Sequence, residues 1–284
     1  MRILAATDFS TRSQRAMRRA GLLAQERDAE LALVHVVDDD QPPDLVALET
    51  REAERILGEQ IRAMAELRGV RCQPLVVPGD PFDGILRMAA SAGADLVVMG
   101  AHRKQLLRDI FIGTTIERVI RTGPYPVLMV NREVEKPYRT ALAAADTSEP
   151  FAHAIKTSTS LGLLDGARLT FVHAFLPFAK GKLAFADLSS DSIDEYVASE
   201  RLRATDELTA FLDGNAIADH WRSMLVEEGA PFEVISGAVK RLQPDVLVIG
   251  THNRSGIAKA LLGSVTETVL RSLDVDILAV PPAC

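Results

Sequence analysis

Residues 95–102 read Asp-Leu-Val-Val-Met-Gly-Ala-His, and 150 positions later residues 245–252 read Asp-Val-Leu-Val-Ile-Gly-Thr-His. Gly113 and Gly263, which open the stretches that follow, repeat at the same offset. Each copy is an apolar run that ends in glycine, a pattern typical of a buried strand followed by a loop. The chain is therefore predicted to contain the same kind of domain twice.

Other landmarks repeat at a shorter offset. Asp8 and His35 recur 138 positions later as Asp146 and His173. The change of offset from 138 to 150 predicts an insertion of 12 residues in the second copy. We expect this insertion, at 177–188, to be an extended, partly apolar crossover. A lid or a surface for a partner stays open, but we favour packing of its apolar side chains on their own domain. Both histidines lie in apolar strands and are expected in the core or at its rim, not as ligands.

Both halves alternate apolar strands with amphipathic helices, which predicts an α/β fold. Strands that are near-continuous runs of Val, Ile and Leu are typical of a parallel sheet covered by helices on both faces. We therefore predict two tandem doubly wound, Rossmann-like domains, residues 1–133 and 138–284, each with a five-stranded parallel sheet. The linker, 131–139, is short and charged, so the two domains are expected to pack together.

Composition narrows the classes of function. The 284 residues are 47% hydrophobic and 25% charged, which is typical of soluble, folded domains. A net charge of −7 argues against a nucleic-acid-binding surface. Cys72 and Cys284 have no metal-type or redox-type neighbours, and no apolar run is long enough to cross a bilayer. We therefore expect a cytoplasmic protein without a membrane partner. Four arginines of the first helix are expected to face solvent or the other domain: Arg12, Arg15, Arg18 and Arg19.

The repeated glycines have the pattern of a phosphate-binding loop. Gly100 and Gly250 end strands without a side chain, which lets a ligand approach the backbone. Gly113 and Gly263 precede helices, whose N-terminal amides and dipole favour an anion. One such glycine alone would simply begin a helix. The same pair at the same interval in both halves favours phosphate binding.

These motifs resemble the nucleotide signature of the universal stress protein family, in its tandem two-domain form and over essentially the whole chain. The signature is Gly, two residues, Gly, nine residues, Gly and then Ser or Thr. Both copies keep three of the four positions and replace the middle glycine, by Arg103 in the first half and Asn253 in the second. Asparagine readily adopts the positive φ that glycine allows. Arg103 either obstructs the site or holds a phosphate with its guanidinium.

The resemblance implies a site for ATP or a related adenine nucleotide, with or without Mg²⁺. In such sites the aspartate after the first strand and the end of the second strand meet the base, and the glycine motif surrounds ribose and phosphates. In the second half, which we favour as the working site, the implied residues are Asp146, Ala174, Gly250, His252, Asn253, Gly263, Ser264 and Val265. In the first half they are Asp8, Val36, Gly100, Arg103, Gly113, Thr114 and Thr115.

No catalytic residue or metal ligand is predicted. The sequence has no P-loop, no dinucleotide fingerprint after its first strand and no nucleophile elbow. Three functions stay open. We favour a stress-response module in which an adenine nucleotide changes domain packing and so the binding of an unidentified protein partner. The alternatives are a nucleotide-free scaffold and, less favoured, a slow ATPase.

The resemblance also bears on assembly. Single-domain relatives commonly pair through their last strand, and the equivalent segments here are 126–130 and 276–280. Pairing of these two strands within one chain would cover both edges and relate the halves by an approximate two-fold axis. Whether two chains then form a homodimer stays open.

Overall fold

The computed structural model describes residues 1–101, 114–134, 136–186, 189–217, 222–251 and 262–283. The first half contains β1 (Arg2–Ala6), α1 (Thr11–Arg27), β2 (Glu30–Val37), α2 (Pro43–Ala63), β3 (Cys72–Pro78), α3 (Pro81–Ala92), β4 (Leu96–Gly100), α4 (Thr115–Thr122) and β5 (Val127–Val130). The second half contains β6 (Thr140–Ala145), α5 (Glu149–Ser160), β7 (Arg168–Phe175), α6 (Lys180–Phe185), α7 (Ser190–Gly214), β8 (Arg222–Glu228), α8 (Pro231–Leu242), β9 (Val246–Gly250), α9 (Ser264–Ser272) and β10 (Asp276–Val280).

The ten strands form one sheet in the order β3-β2-β1-β4-β5-β10-β9-β6-β7-β8. This order is symmetric about the junction of β5 and β10, which pair antiparallel with Leu128 opposite Leu278. The neighbouring strands within each half pair parallel. The predicted α/β fold, with five parallel strands in each half and the two last strands paired, is confirmed.

The core forms two layers, one on each face of the sheet. Successive strand residues point to opposite faces, so Val98 packs in one layer and Val97 in the other. Both layers continue across the β5–β10 junction, since Leu128 and Leu278 share the first and Met129 and Ile277 the second. The two halves therefore bury apolar surface together.

The inserted segment differs from our expectation. The prediction of an extended crossover at 177–188 was wrong, because residues Lys180–Phe185 form the short helix α6. Its alanine, leucine and lysine residues favour helix. The expectation that its apolar side chains pack on their own domain was also wrong for Phe178 and Phe185, which are 84% and 94% exposed. No helix in the described part of the chain is long and apolar enough to span a bilayer.

A buried polar cluster joins the halves where the linker leaves β5. Asp276, at the start of β10, is 1% exposed and accepts hydrogen bonds from the backbone amides of Asn131 and Arg132, at 2.9 and 3.0 Å. The Tyr138 hydroxyl donates to the same carboxylate at 2.7 Å. Arg19 lies 3.6 Å from it and 4.0 Å above the ring of Tyr138. Of the α1 arginines, Arg19 thus faces the second domain, one of the two predicted environments.

Candidate functional site

A cavity of about 500 Å³ lies at the carboxyl ends of β6, β7 and β9, and an equivalent one of about 350 Å³ lies at β1, β2 and β4. Ligands of doubly wound sheets bind at this edge, where the order of the strands reverses. The start of α9 closes the larger cavity, and the start of α4 closes the smaller one. The duplication has therefore produced two candidate sites.

Most of the residues implied by the motif line these cavities. In the second half they are Asp146, Ala174, Gly250, Gly263, Ser264 and Val265. In the first half they are Asp8, Val36, Gly100, Thr114 and Thr115. His252, Asn253, Arg103 and Gly113 lie outside the described residues.

The two aspartates occupy matching turns. Asp8 accepts a hydrogen bond from the amide of Ser10 at 3.0 Å, and Asp146 accepts one from the amide of Ser148 at 3.2 Å. Each serine is the N-cap of the helix that follows, α1 or α5. The same residues thus begin the helix and hold the carboxylate at the rim of the cavity.

The charge of Asp8 is set by its surroundings. Burial raises the pKa of this carboxyl, but hydrogen bonds from Ser10 and Ser13 outweigh the effect and leave the pKa below its usual value. Asp8 is therefore ionised at neutral pH and able to accept hydrogen bonds from hydroxyl or amino groups of a ligand.

Two histidines border the cavities. Nδ1 of His35 lies 2.8 Å from the carbonyl oxygen of Thr7, and Nδ1 of His173 lies 2.8 Å from that of Ala145. A neutral ring in this arrangement donates from Nδ1 and keeps Nε2 as an acceptor. Both are half-buried rim residues, as predicted. Their place in the lining was not predicted, although each immediately precedes a predicted site residue.

The helices that close the cavities begin differently. In α4, Thr114 is the N-cap, and its hydroxyl accepts a hydrogen bond from the amide of Glu117 at 3.3 Å. In α9 the N-cap is Gly263, which provides no side-chain cap. The first-turn amides of α9 therefore lack a side-chain acceptor at Gly263, which is the condition under which a helix N-terminus binds an anion. The helix that was expected to follow Gly113 begins at Thr115.

The strand-end glycines have a structural cause that the sequence did not reveal. A Cβ at Gly100 would lie 2.6 Å from the backbone carbonyl of Arg12, so this glycine is required for α1 to approach β4. A Cβ at Gly250 would lie 3.3 Å from the carbonyl oxygen of Pro150, a tighter contact than usual but not an overlap. Packing alone therefore explains Gly100, whereas Gly250 has more freedom.

The remaining lining of the larger cavity is mainly apolar. It comes from Val172, Ile235, Ile249 and Phe151, of which Phe151 also packs edge-on against Phe171. Among the described residues, no group of three or more His, Cys, Asp or Glu side chains is arranged to hold a metal ion. The cavity thus combines an apolar wall, a carboxylate and a helix N-terminus.

Both halves match known proteins. The sequence model of the universal stress protein family matches residues 1–131 and 137–281. Universal stress protein E of Escherichia coli K12 is 28% identical over 207 residues, which cover 71% of this chain and 65%, less than two thirds, of that relative. Universal stress protein MJ0531 of Methanocaldococcus jannaschii is 32% identical over 139 residues, which cover 46% of this chain and 82% of the relative.

The fold is also found among solved structures. A universal stress protein from Archaeoglobus fulgidus has a TM-score of 0.70 with this chain at 17% identity, covering 99% of this chain and 98% of the other. This likeness shows the fold, and the match of the family model over both halves shows the family. The chain therefore belongs to the universal stress protein family, as a member with two tandem domains.

Proposed function

We propose that the second-half cavity binds ATP or a related adenine nucleotide, and that this ligand regulates the binding of a protein partner. The observation that supports this most is the start of α9. Gly263 leaves the first turn without a side-chain cap, and Ser264 adds a hydroxyl at the same edge of the cavity. Amides, hydroxyl and helix dipole together suit a phosphate group.

The rest of the cavity suits a nucleoside. A volume of about 500 Å³ is within the range of small-molecule sites. Val172, Ala174 and Ile249 provide an apolar surface for a base. Asp146 is the one acidic residue among the described lining residues, and it would accept hydrogen bonds from ribose or base. A Mg²⁺ ion that arrives with ATP prefers phosphate oxygens, water and one or two carboxylates, and Asp146 would supply such a carboxylate.

Regulation requires a further property. A ligand changes the packing of two domains only if it binds the two arrangements with different affinity. We expect Mg-ATP to slow amide hydrogen exchange in the linker 131–139, measured by mass spectrometry. Bound ATP that leaves this exchange unchanged would contradict the regulatory part of the proposal.

The binding test begins with the purified full chain. Heat denaturation should release about one adenine nucleotide per chain, identified by mass spectrometry, or Mg-ATP should bind the nucleotide-free protein in calorimetry. If no nucleotide is released and none binds at millimolar concentration, the protein is a nucleotide-free scaffold instead. Phosphate release that persists over many turnovers and requires the same cavity would support the slow ATPase.

The two halves offer matched variants. Gly263→Asp places a carboxylate at an N-cap position, where aspartate is favoured, so the helix is kept while phosphate is repelled. Gly263→Asn is the uncharged control. Thr114→Asp makes the same change at the N-cap of α4. We expect Gly263→Asp alone to abolish ATP binding. Equal loss in Gly263→Asn would contradict repulsion of a phosphate at this position, and equal loss in Thr114→Asp would contradict the assignment to the second half.

A further inference from the structure

The ten-stranded sheet has two edge strands, β3 and β8, which occupy equivalent positions in the two halves. Along a strand of a parallel sheet, the backbone groups of successive residues point alternately to the two sides. The amide of Gly79 donates to β2, at the carbonyl oxygen of Val37. The amide of Gly229 donates to β7 in the same way, at 3.1 Å. The odd-numbered residues of both edge strands therefore point inward, and the even-numbered residues present their backbone groups to the outside of the sheet.

The edge of β3 is blocked by proline. The outward residues of this strand are Cys72, Pro74, Val76 and Pro78. Proline has no amide hydrogen, and within sheets it is confined largely to positions whose amide would face solvent. Two of the four outward positions of β3 therefore cannot donate a hydrogen bond to another strand, which protects this edge against pairing.

The edge of β8 lacks this protection. Its outward residues are Arg222, Met224, Val226 and Glu228, and each of them has an amide hydrogen. Within the part of the chain that the structure describes, no strand pairs with the outer side of β8. Met224 and Val226 are only partly buried. The strand thus presents an open row of backbone donors and acceptors, which is the feature to which a further strand is added.

The acidic residues at the end of β8 do not protect the edge either. Glu227 forms an ion pair with Arg241 at 2.8 Å, and Glu228 forms one with Lys180 at 2.7 Å. Unpaired charges on an edge strand repel other strands. Because both carboxylates are compensated within the chain, this repulsion is weakened.

The strand is also complementary to itself. Two β8 strands that pair antiparallel about a two-fold axis at Leu225 place Met224 of each copy opposite Val226 of the other. The two acidic residues at the end of the strand then lie opposite Ser223 and Arg222, so no two like charges face each other. In this register the even-numbered residues form the hydrogen-bonded pairs, with about eight backbone hydrogen bonds between the copies.

We propose that two copies of the chain pair through β8, antiparallel and with Leu225 on the two-fold axis, to form a closed dimer. The junction of β5 and β10 already joins the halves of one chain in this way, with Leu128 opposite Leu278. The described sheet of each chain has one open edge, because the prolines of β3 block the other, so assembly ends at two copies. No described residue of either cavity lies on β8, so this proposal is independent of the nucleotide site.

The first test compares the two edges by sedimentation equilibrium of the full chain at micromolar concentration. Val226→Pro removes an outward amide from β8, and Val76→Pro makes the same change at the equivalent position of β3. Neither removes a hydrogen bond within the sheet, because both amides point outward. We expect Val226→Pro to weaken self-association about ten-fold or more, since two hydrogen bonds are lost per dimer. Val76→Pro should leave the dimer unchanged.

A disulfide cross-link tests the register. In a background with Cys72→Ser and Cys284→Ser, Leu225→Cys should link two copies under mild oxidation. The two residues on the axis form a non-hydrogen-bonded pair, whose Cα atoms lie about 4.5 Å apart, within the range of a disulfide. Ser223→Cys is the matched control, because it lies on the same face but about 13 Å from the same residue of the second copy. It should not form the cross-link.

Electrophoresis without reducing agent detects the cross-link. A wild type that stays monomeric at micromolar concentration overturns the proposal and leaves β8 to an extended segment of a different protein. The proposal is also overturned by a dimer that Val226→Pro leaves intact, by equal weakening in Val76→Pro, or by equal cross-linking through Ser223→Cys. If circular dichroism shows that Val226→Pro does not fold, cross-linking through Leu225→Cys alone decides.

Discussion

Replacing Arg19 by methionine removes a buried cation from the junction of the two domains. The guanidinium lies 3.6 Å from the carboxylate of Asp276 and 4.0 Å above the ring of Tyr138. It also donates a hydrogen bond of 2.9 Å to the carbonyl oxygen of Lys136. Methionine is long and flexible enough to fill much of the space. The substitution Arg19→Met therefore tests mainly the loss of the positive charge.

The expected loss of stability follows from these three contacts. Stacking on Tyr138 contributes about 1 kcal/mol, and the charged hydrogen bond to Lys136 contributes about 1.5 kcal/mol. The ion pair adds to this, because a buried carboxylate without its partner is strongly unfavourable. Apolar contacts of the new methionine recover part of the loss. We expect Arg19→Met to lower the free energy of unfolding by about 3 kcal/mol at neutral pH.

The loss should depend on pH. Burial already raises the pKa of Asp276, despite hydrogen bonds from Arg132 and Tyr138 and the charge of Arg19. Without Arg19 that pKa rises further. A carboxyl whose pKa is higher in the folded than in the unfolded state stabilises the fold at low pH, and this contribution is lost as pH rises through the folded pKa. The difference between wild type and Arg19→Met should therefore widen from acidic to neutral pH.

Urea unfolding of the full chain at several pH values measures this difference. Arg15→Met, which breaks the more exposed pair with Glu133, should cost less than about 1 kcal/mol. Adding Asp276→Asn to Arg19→Met should recover most of the loss, because no unpaired charge then remains. A loss below about 1 kcal/mol, or one that is independent of pH and additive with Asp276→Asn, would refute the electrostatic explanation.

Three further outcomes are expected. Gly100→Ala should lower the free energy of unfolding by about 2 kcal/mol and Gly250→Ala by less, since a Cβ would lie 2.6 Å from backbone atoms at the first and 3.3 Å at the second; equal effects in urea unfolding would contradict this. Burial raises the pKa of Asp245, but hydrogen bonds from two amides and a hydroxyl at the start of β6 outweigh burial and leave the pKa below its usual value. The wild type should thus have a higher free energy of unfolding than Asp245→Asn above the unfolded pKa, and this difference should disappear as pH falls through the folded pKa. A difference that grows in acid would contradict this prediction. Gly84→Val should be destabilising, because its Cβ would lie 2.8 Å from Val36, and adding Val36→Ala should restore the thermal midpoint; failure of that rescue would show that the clash is elsewhere.

The repeated pattern predicted the fold because each strand and helix occurs twice with the same local signals. The pairing of the last strands was also predicted, through the family resemblance, and the structure places Leu128 opposite Leu278. The motif further predicted some of the described residues that meet at the two cavities. Gly263 and Asp146 are distant in sequence, but strand topology brings the carboxyl ends of β6 and β9 to one edge.

Features without an internal repeat were not predictable in the same way. Asp276 has Pro126 at its equivalent position in the first half, so the duplication contains no signal for the buried cluster. Its partner Arg19 belongs to a run of arginines that solvent exposure explains equally well. The short helix α6 lies in the insertion, where no second copy exists for comparison. Each of these depends on contacts between segments far apart in sequence.

The duplication itself shows how one fold can hold two different sites. In the first half the larger residue, Val36, is on strand β2, where it lines the cavity and fills the space beside Gly84 of helix α3. In the second half the small residue, Ala174, lines the cavity, while Val234 takes the helix position and is buried outside the described lining. In the second half the larger side chain is therefore on the helix and the smaller one on the strand. This exchange keeps the core filled and removes side-chain volume from the cavity wall. The larger cavity in the second half is consistent with this exchange. Together with Pro150 in place of Arg12 in the wall, it gives the two halves cavities of different size and lining at the same edge of one sheet.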